Sequence, residues 1–116
     1  MSWWVSLSDA DGNHVEVETF VDGGTYQVNG SPVAELNVTY NYSKFYYLYL
    51  NQEEGLKWLH GKEAKDTIKA LEQAVSKMTG EPSQDYWDSC EGNARIPLVR
   101  FLGWAKQYPE AKWVIH

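Results

Sequence analysis

Cysteine is almost absent. A single Cys90 in 116 residues excludes an internal disulfide framework. Positive charge is also scarce. Ten Lys and Arg stand against sixteen Asp and Glu, giving a formal net charge of −6. That balance excludes the basic footprint that binding to a nucleic-acid polymer requires. No apolar run approaches the roughly 18 residues of a membrane-crossing helix. The opening Met-Ser-Trp-Trp-Val has neither a basic n-region nor a long apolar h-region, so a cytoplasmic protein is expected, without membrane contact. Internal repeats, linkers and low-complexity runs are missing, and residues 1–116 read as one domain.

Catalytic and metal-binding patterns are missing too. His14, His60, His116 and Cys90 show no short ligand spacing, so neither a metal nor another cofactor is expected. Asp88 and Glu91 flank Cys90 and would raise its thiol pKa, and no spacing singles out a carboxylate pair. No catalytic residue is assigned. The segment beginning Asp9-Ala-Asp-Gly lacks the terminal glutamate of a calcium loop, because position 20 is Phe20.

Aromatic residues, in contrast, are plentiful: 15% of the chain, with 6 Trp and 8 Tyr. Trp and Tyr join apolar area to a polar tip, so a surplus points to a binding surface as well as to a core.

The sequence predicts an α+β domain. An N-terminal antiparallel β-meander of about four strands would hold Trp3, Val5 and Leu7 on one face of the first strand. Asp11-Gly12 would supply a type I′ turn, and Val15, Val17 and Thr19 a second strand. The third and fourth strands would fall at residues 25–28 and 34–40. A short helix over residues 44–51 would follow, capped by Ser43. Leu56, Trp58 and Leu59 form one helical turn between Gly55 and Gly61. Ala64, Ile68, Leu71, Val75 and Met78 make one apolar stripe, predicting a long helix over residues 62–78. A second long helix would run over about residues 93–107, with Pro97 near its first turn and Gly103 in close packing against another element. Residues 112–116 would close the sheet beside the first strand. Two long helices and one or two short ones would thus pack on one face of the sheet.

Two stretches draw attention as binding elements. On the fourth strand, Asn37, Thr39 and Asn41 alternate with Leu36, Val38 and Tyr40, so they would line the face away from the helices. Asparagine is poor in strands, and this row of donors and acceptors next to Tyr42 would suit a ring-bearing polar ligand. Further on, Gly92-Asn93-Ala94 opens the last helix, where free amides and a following Arg95 could meet an anionic group.

These same residues carry a resemblance. Gly-Gly-Thr-Tyr at 23–26, Ala-Glu-Leu-Asn-Val-Thr-Tyr-Asn-Tyr-Ser at 34–43, Gly61-Lys62, Asp-Tyr-Trp at 85–87, Gly-Asn-Ala at 92–94 and Trp104-Ala105 together resemble a family of small uncharacterised phage and prophage proteins. The resemblance spans nearly the whole chain. It departs at Cys90-Glu91, where relatives often carry proline, and at Arg95 and Pro97, which lie outside the pattern. It implies a phage accessory protein working in the bacterial host cytoplasm against host defence. The reading that follows is a non-enzymatic protein that binds a small polar, nucleotide-like ligand and sequesters a defence signal. Asn37, Thr39, Asn41 and Tyr42 would form one wall of the pocket; Trp87, Gly92, Asn93 and Ala94 would form the other. The alternative is an inhibitor that masks a host defence protein through Trp3, Trp4, Trp58 and Tyr46 inside an acidic rim. A symmetric homo-oligomer is compatible with either.

Overall fold

The computed structural model describes residues 2–17, 21–22, 25–27, 33–78 and 90–116. Within them the chain forms an α+β fold. Strands are β1 (Ser2–Ser8), β2 (Val21–Asp22), β3 (Thr25–Gln27), β4 (Glu35–Thr39) and β5 (Lys112–Ile115). Helices are α1 (Ser43–Tyr49), α2 (Ile68–Lys77) and α3 (Glu91–Gln107), with 3₁₀ turns at Tyr40–Tyr42, Gly55–Leu59 and Ala64–Asp66. The strand order is β2-β3-β4-β1-β5, with every pair antiparallel. β4, β1 and β5 make the body of the sheet, and the two- and three-residue β2 and β3 extend it.

The predicted four-strand meander is not what forms. β1 lies between β4 and β5, and the described residues 9–17 after it make only single bridges, Ser8 to His14 and Glu16 to Val33. The reason is a three-way exchange of backbone bonds. Leu7 N–H donates to Ala34 O (2.9 Å), Ala34 N–H to Val15 O (2.8 Å) and Val15 N–H to Leu7 O (3.0 Å). Val15 is thereby wedged where β1 and β4 would otherwise continue to pair. The turn before it also differs from type I′. Gly12 N–H closes onto Asp9 O at 3.0 Å, so Ala10 and Asp11 are the central residues and Gly12 follows at φ 83°. The Asp9 carboxylate accepts the amides of Asp11 (2.9 Å) and Asn13 (3.1 Å) and so braces the turn. Val17 of the predicted second strand is buried, and Thr19 lies outside the described residues.

β1 and β5 behave as their alternation requires. Trp3, Val5 and Leu7 are buried on one face, joined by Leu36 and Val38 of β4 and Trp113 and Ile115 of β5. These side chains meet Leu71 and Ala74 of α2 and Leu98, Phe101, Trp104 and Ala105 of α3 in one core. Trp113 is its centre. Its ring meets Phe101 edge-on at 5.4 Å, and its Nε1–H donates to Thr67 Oγ1 at 2.9 Å. A buried indole N–H without such a partner would cost stability, so Thr67 is part of the reason Trp113 fits there.

The helices are shorter or shifted from their predicted bounds, each for a local reason. Over residues 62–78 only α2, ten residues long, is α-helical. Ahead of it the Ala64 and Lys65 amides donate to Ala111 O (2.7 Å) and Pro109 O (2.9 Å) instead of entering a helix. Gly61 N–H donates to Trp113 O (2.9 Å), and Trp113 N–H to Lys62 O (3.0 Å). This stretch therefore covers the outer edge of β5, which would otherwise present unpaired backbone groups. His60 completes the cover, its Nδ1 accepting the Ile115 amide at 3.0 Å. α3 starts at Glu91 and places Pro97 in its interior, not in the first turn. Gly103 is exposed and a Cβ there would meet nothing within 4 Å, so it marks no close packing. Ser43 is inside α1 and donates to Tyr40 O (2.6 Å); the capping acceptor is Thr39, whose Oγ1 receives the Asn41 amide at 3.3 Å.

Candidate functional site

The row of asparagines is interrupted by the fold. β4 ends at Thr39, and Asn41 sits on the following 3₁₀ turn, exposed. Asn37 and Thr39 do occupy the face opposite Leu36 and Val38, but they are only 5% and 3% exposed. Asn37 Nδ2 donates to Ser2 Oγ at 2.6 Å, across from its register partner Trp4. Ser6, also buried, shares that face by alternation and donates to Val114 O at 3.4 Å. A strand face of Ser, Asn and Thr is thus withdrawn from solvent, its polar groups turned to one another and to backbone.

The other residues of the expected pocket lie elsewhere. Tyr42 points into the core and meets Tyr46 edge-on at 6.5 Å. The Tyr46 hydroxyl donates to Ala94 O at 2.9 Å. Tyr42 and the start of α3 are therefore linked through Tyr46, on the helix side of the sheet, while Asn37 and Thr39 belong to its other side. Gly92, Asn93 and Ala94 are buried within the first turns of α3, after an extended Cys90 at the cap position. Glu91 puts an acid in the first turn, which is where the helix dipole favours one. Arg95 turns away from that end: its Nε–H donates to Val75 O (3.1 Å), capping the last turn of α2. Trp87 lies outside the described residues. Burial lifts the Tyr46 phenol well above its ordinary pKa, with the neighbouring Tyr42 adding to it. Tyr49 is raised chiefly by its hydrogen bond to Glu91.

The aromatic anchors divide differently from expectation. Trp3 and Tyr46 are buried, and Trp4 and Trp58 are half-buried, the Trp58 ring carrying Lys62 Nζ at 4.5 Å. Besides Val99 of α3 (41% exposed), the large apolar side chains that stand out among the described residues are Tyr40 (40%), Tyr47 (44%) and Leu48 (62%). With Lys44 they recur at i, i+4, i+7 and i+8, one stripe along the 3₁₀ turn and α1. Trp3 supports it from beneath, edge-on to Tyr40 at 4.6 Å. Tyr47 is held by Gly55, at φ 59°, where a Cβ would come within 3.3 Å of the ring. Glu53 and Glu54, both exposed, precede that glycine and give the stripe an acidic border. Their backbone amides donate to Asn51 Oδ1 at 3.0 and 2.8 Å, which holds the backbone of this border. The alternation on the fourth strand sets Tyr40 with Leu36 and Val38 toward the helices; its exposure on the turn after β4 corrects that.

A second cluster lies at the opposite end of β1. Ser8 Oγ is 3.3 Å from His14 Nδ1, and His14 Nε2 is 3.4 Å from Glu35 Oε2. Ser8 also lines a cleft of about 300 Å³ with Asp9, Ala10, Glu63, Glu110 and Lys112. No linear motif announces this trio, since Glu35 is 21 positions beyond His14. Near the same cleft, Lys65 bonds Glu110 and Glu63, and both partners raise its pKa. Among the described residues no group of three His, Cys, Asp or Glu side chains could hold a metal ion, and no helix is long and apolar enough to cross a membrane.

No protein-family model, no curated protein and no solved structure matches this chain.

Proposed function

We propose that this chain is a binding protein that acts through the tyrosine stripe of α1. The single observation that carries this is the exposure of Tyr40, Tyr47 and Leu48 along one side of the 3₁₀ turn and α1, whose other side faces the core. An apolar patch rimmed by polar groups is the usual mark of an interaction site. Tyrosine supplies large contact area at low entropic cost, which suits the centre of an interface. The Glu53–Glu54 border and the net charge of −6 favour a protein partner whose apolar patch is edged by Lys and Arg. The motifs that resemble small phage proteins support reading that partner as a host protein, whose masking would counter host defence.

Leu48→Asp tests the reading, because it puts a charge at the centre of the stripe and leaves the core untouched. The variant should keep the melting temperature of the parent chain. It should lose at least tenfold of its affinity for the host protein that the parent retains from lysate. Equal retention by a folded variant would overturn the proposal.

A second reading keeps the small polar ligand. It is motivated by the polar strand face of Ser2, Asn37 and Thr39, the last two buried, which gathers donors and acceptors in one row. Cyclic and linear nucleotides should then raise the melting temperature of the parent, and Asn37→Ala should abolish the rise. The absence of a shift with any nucleotide removes this reading and leaves the first intact.

A further inference from the structure

We propose that Ser8, His14 and Glu35 form an esterase site, separate from the tyrosine stripe and independent of the function inferred for it. Ser8 Oγ lies 3.3 Å from His14 Nδ1, and His14 Nε2 lies 3.4 Å from Glu35 Oε2; in the tautomer with the ring proton on Nε2, facing the carboxylate, Nδ1 is free to accept from the Ser8 hydroxyl. That is the order a nucleophile, a general base and an orienting carboxylate require. Each is held by a different part of the fold. Ser8 ends β1, Glu35 begins β4, and His14 is fixed by its bridge to Ser8 beyond the Asp9 turn. Glu35 is the more shielded of the ion pair, its side chain 17% exposed against 37% for His14. The base therefore has an open side toward solvent and a carboxylate behind it.

The surroundings define the substrate. Lys112 is the cross-strand neighbour of Ser8 and lines the same cleft, so it brings positive charge to the place where a carbonyl oxygen would become an oxyanion. An adjoining groove, also about 300 Å³, shares Asp9, Ala10 and Glu110 and is walled by Val15, Tyr108, Pro109 and Ala111. Its walls are apolar, which fits the acyl chain of an ester. Three acids border the two clefts, Asp9, Glu63 and Glu110, and they disfavour an anionic substrate. The substrate class is a neutral ester with a short apolar acyl group.

The reaction balances with water as the only co-reactant. Ser8 Oγ bonds to the carbonyl carbon as its proton passes to His14 Nδ1. The carbon–alkoxy bond breaks, and the leaving alcohol takes that proton from His14. Water then adds to the acyl-Ser8 ester, giving its proton to His14. The carboxylic acid leaves as Ser8 Oγ is reprotonated. Glu35 is a positioning residue, holding the ring in the tautomer that leaves Nδ1 free to accept.

The test is labelling of the full chain with a fluorophosphonate ester, located by peptide mass spectrometry, together with hydrolysis of p-nitrophenyl butyrate. The parent should label at Ser8, and Ser8→Ala should lose both label and turnover. His14→Ala should lower kcat by about 10²-fold or more, the usual contribution of a general base. Glu35→Gln should lower kcat with KM unchanged, and Glu35→Asp should restore part of it, a split that loss of folding would not produce. No label on a parent chain shown to be folded, or a label on another serine, overturns the assignment.

Discussion

Tyr46 and Tyr47 are adjacent in the chain, share one helix and one side-chain chemistry, and end in opposite environments. Tyr46 is fully buried, with Trp3 at 6.0 Å, Tyr42 at 6.5 Å and its hydroxyl on Ala94 O. Tyr47 is 44% exposed and rests on a glycine. The difference is one of angle. Neighbouring helical residues point about 100° apart, and α1 has the core on one side only. Aromatic content therefore measures two separate things in this protein, the filling of a core and the furnishing of a surface.

Truncating each ring should break the symmetry of the pair. Tyr46→Ala removes a large buried side chain and should cost ~3–5 kcal/mol, the range for aromatic-to-alanine changes in cores. Tyr47→Ala should cost less than about 1 kcal/mol, because surface substitutions away from buried features change little. Chemical denaturation of the two variants reads both. Similar losses would mean that Tyr47 is a core residue and that the stripe is no free surface.

Tyr46→Phe sharpens the same contrast. It gives up the bond to Ala94 O and should cost about 1 kcal/mol at neutral pH. Its clearer signature is alkaline. The folded-state pKa of Tyr46 is raised, so the unfolded chain ionises first. Its contribution is complete below the ordinary phenol pKa of about 10 and is lost as pH climbs through and beyond it. The phenylalanine variant should show a shallower fall of melting temperature above that pH.

The smallest expected effect compares two glycines. Gly55 supports Tyr47 and has positive φ, whereas Gly103 sits in α3 with open space around it. Gly103→Ala should stabilise the fold by about 0.5–1 kcal/mol through helix propensity. Gly55→Ala should destabilise it, both by the left-handed backbone and by the approach to the Tyr47 ring. Thermal melts of the two variants should move in opposite directions.

Much of the fold was legible. The alternation of Trp3, Val5 and Leu7 marks β1, Trp113 and Ile115 mark β5 as its neighbour, and the stripe through Leu71 marks α2. The meander and the first half of the helix expected over residues 62–78 were misread because their backbone bonds go to distant partners. Val15 bonds Leu7 and Ala34, and Ala64 bonds Ala111, and local periodicity carries no sign of such pairings. The candidate site was less legible. Asn37 and Thr39 share a strand face as expected, but Asn41 leaves it because the strand stops at Thr39. Gly92 and Arg95 have the composition of an anion cradle, yet Arg95 caps α2.

Composition and short-range alternation by themselves determined an acidic, aromatic α+β domain, with the apolar faces of β1, β5 and α3 turned inward, because apolar periodicity directly records which face must leave water. The tertiary structure alone decided which tyrosines stay outside, where α2 begins, and that Ser8, His14 and Glu35 meet. Those outcomes depend on backbone and side-chain partners far apart in the chain, and a one-dimensional pattern does not encode who those partners are.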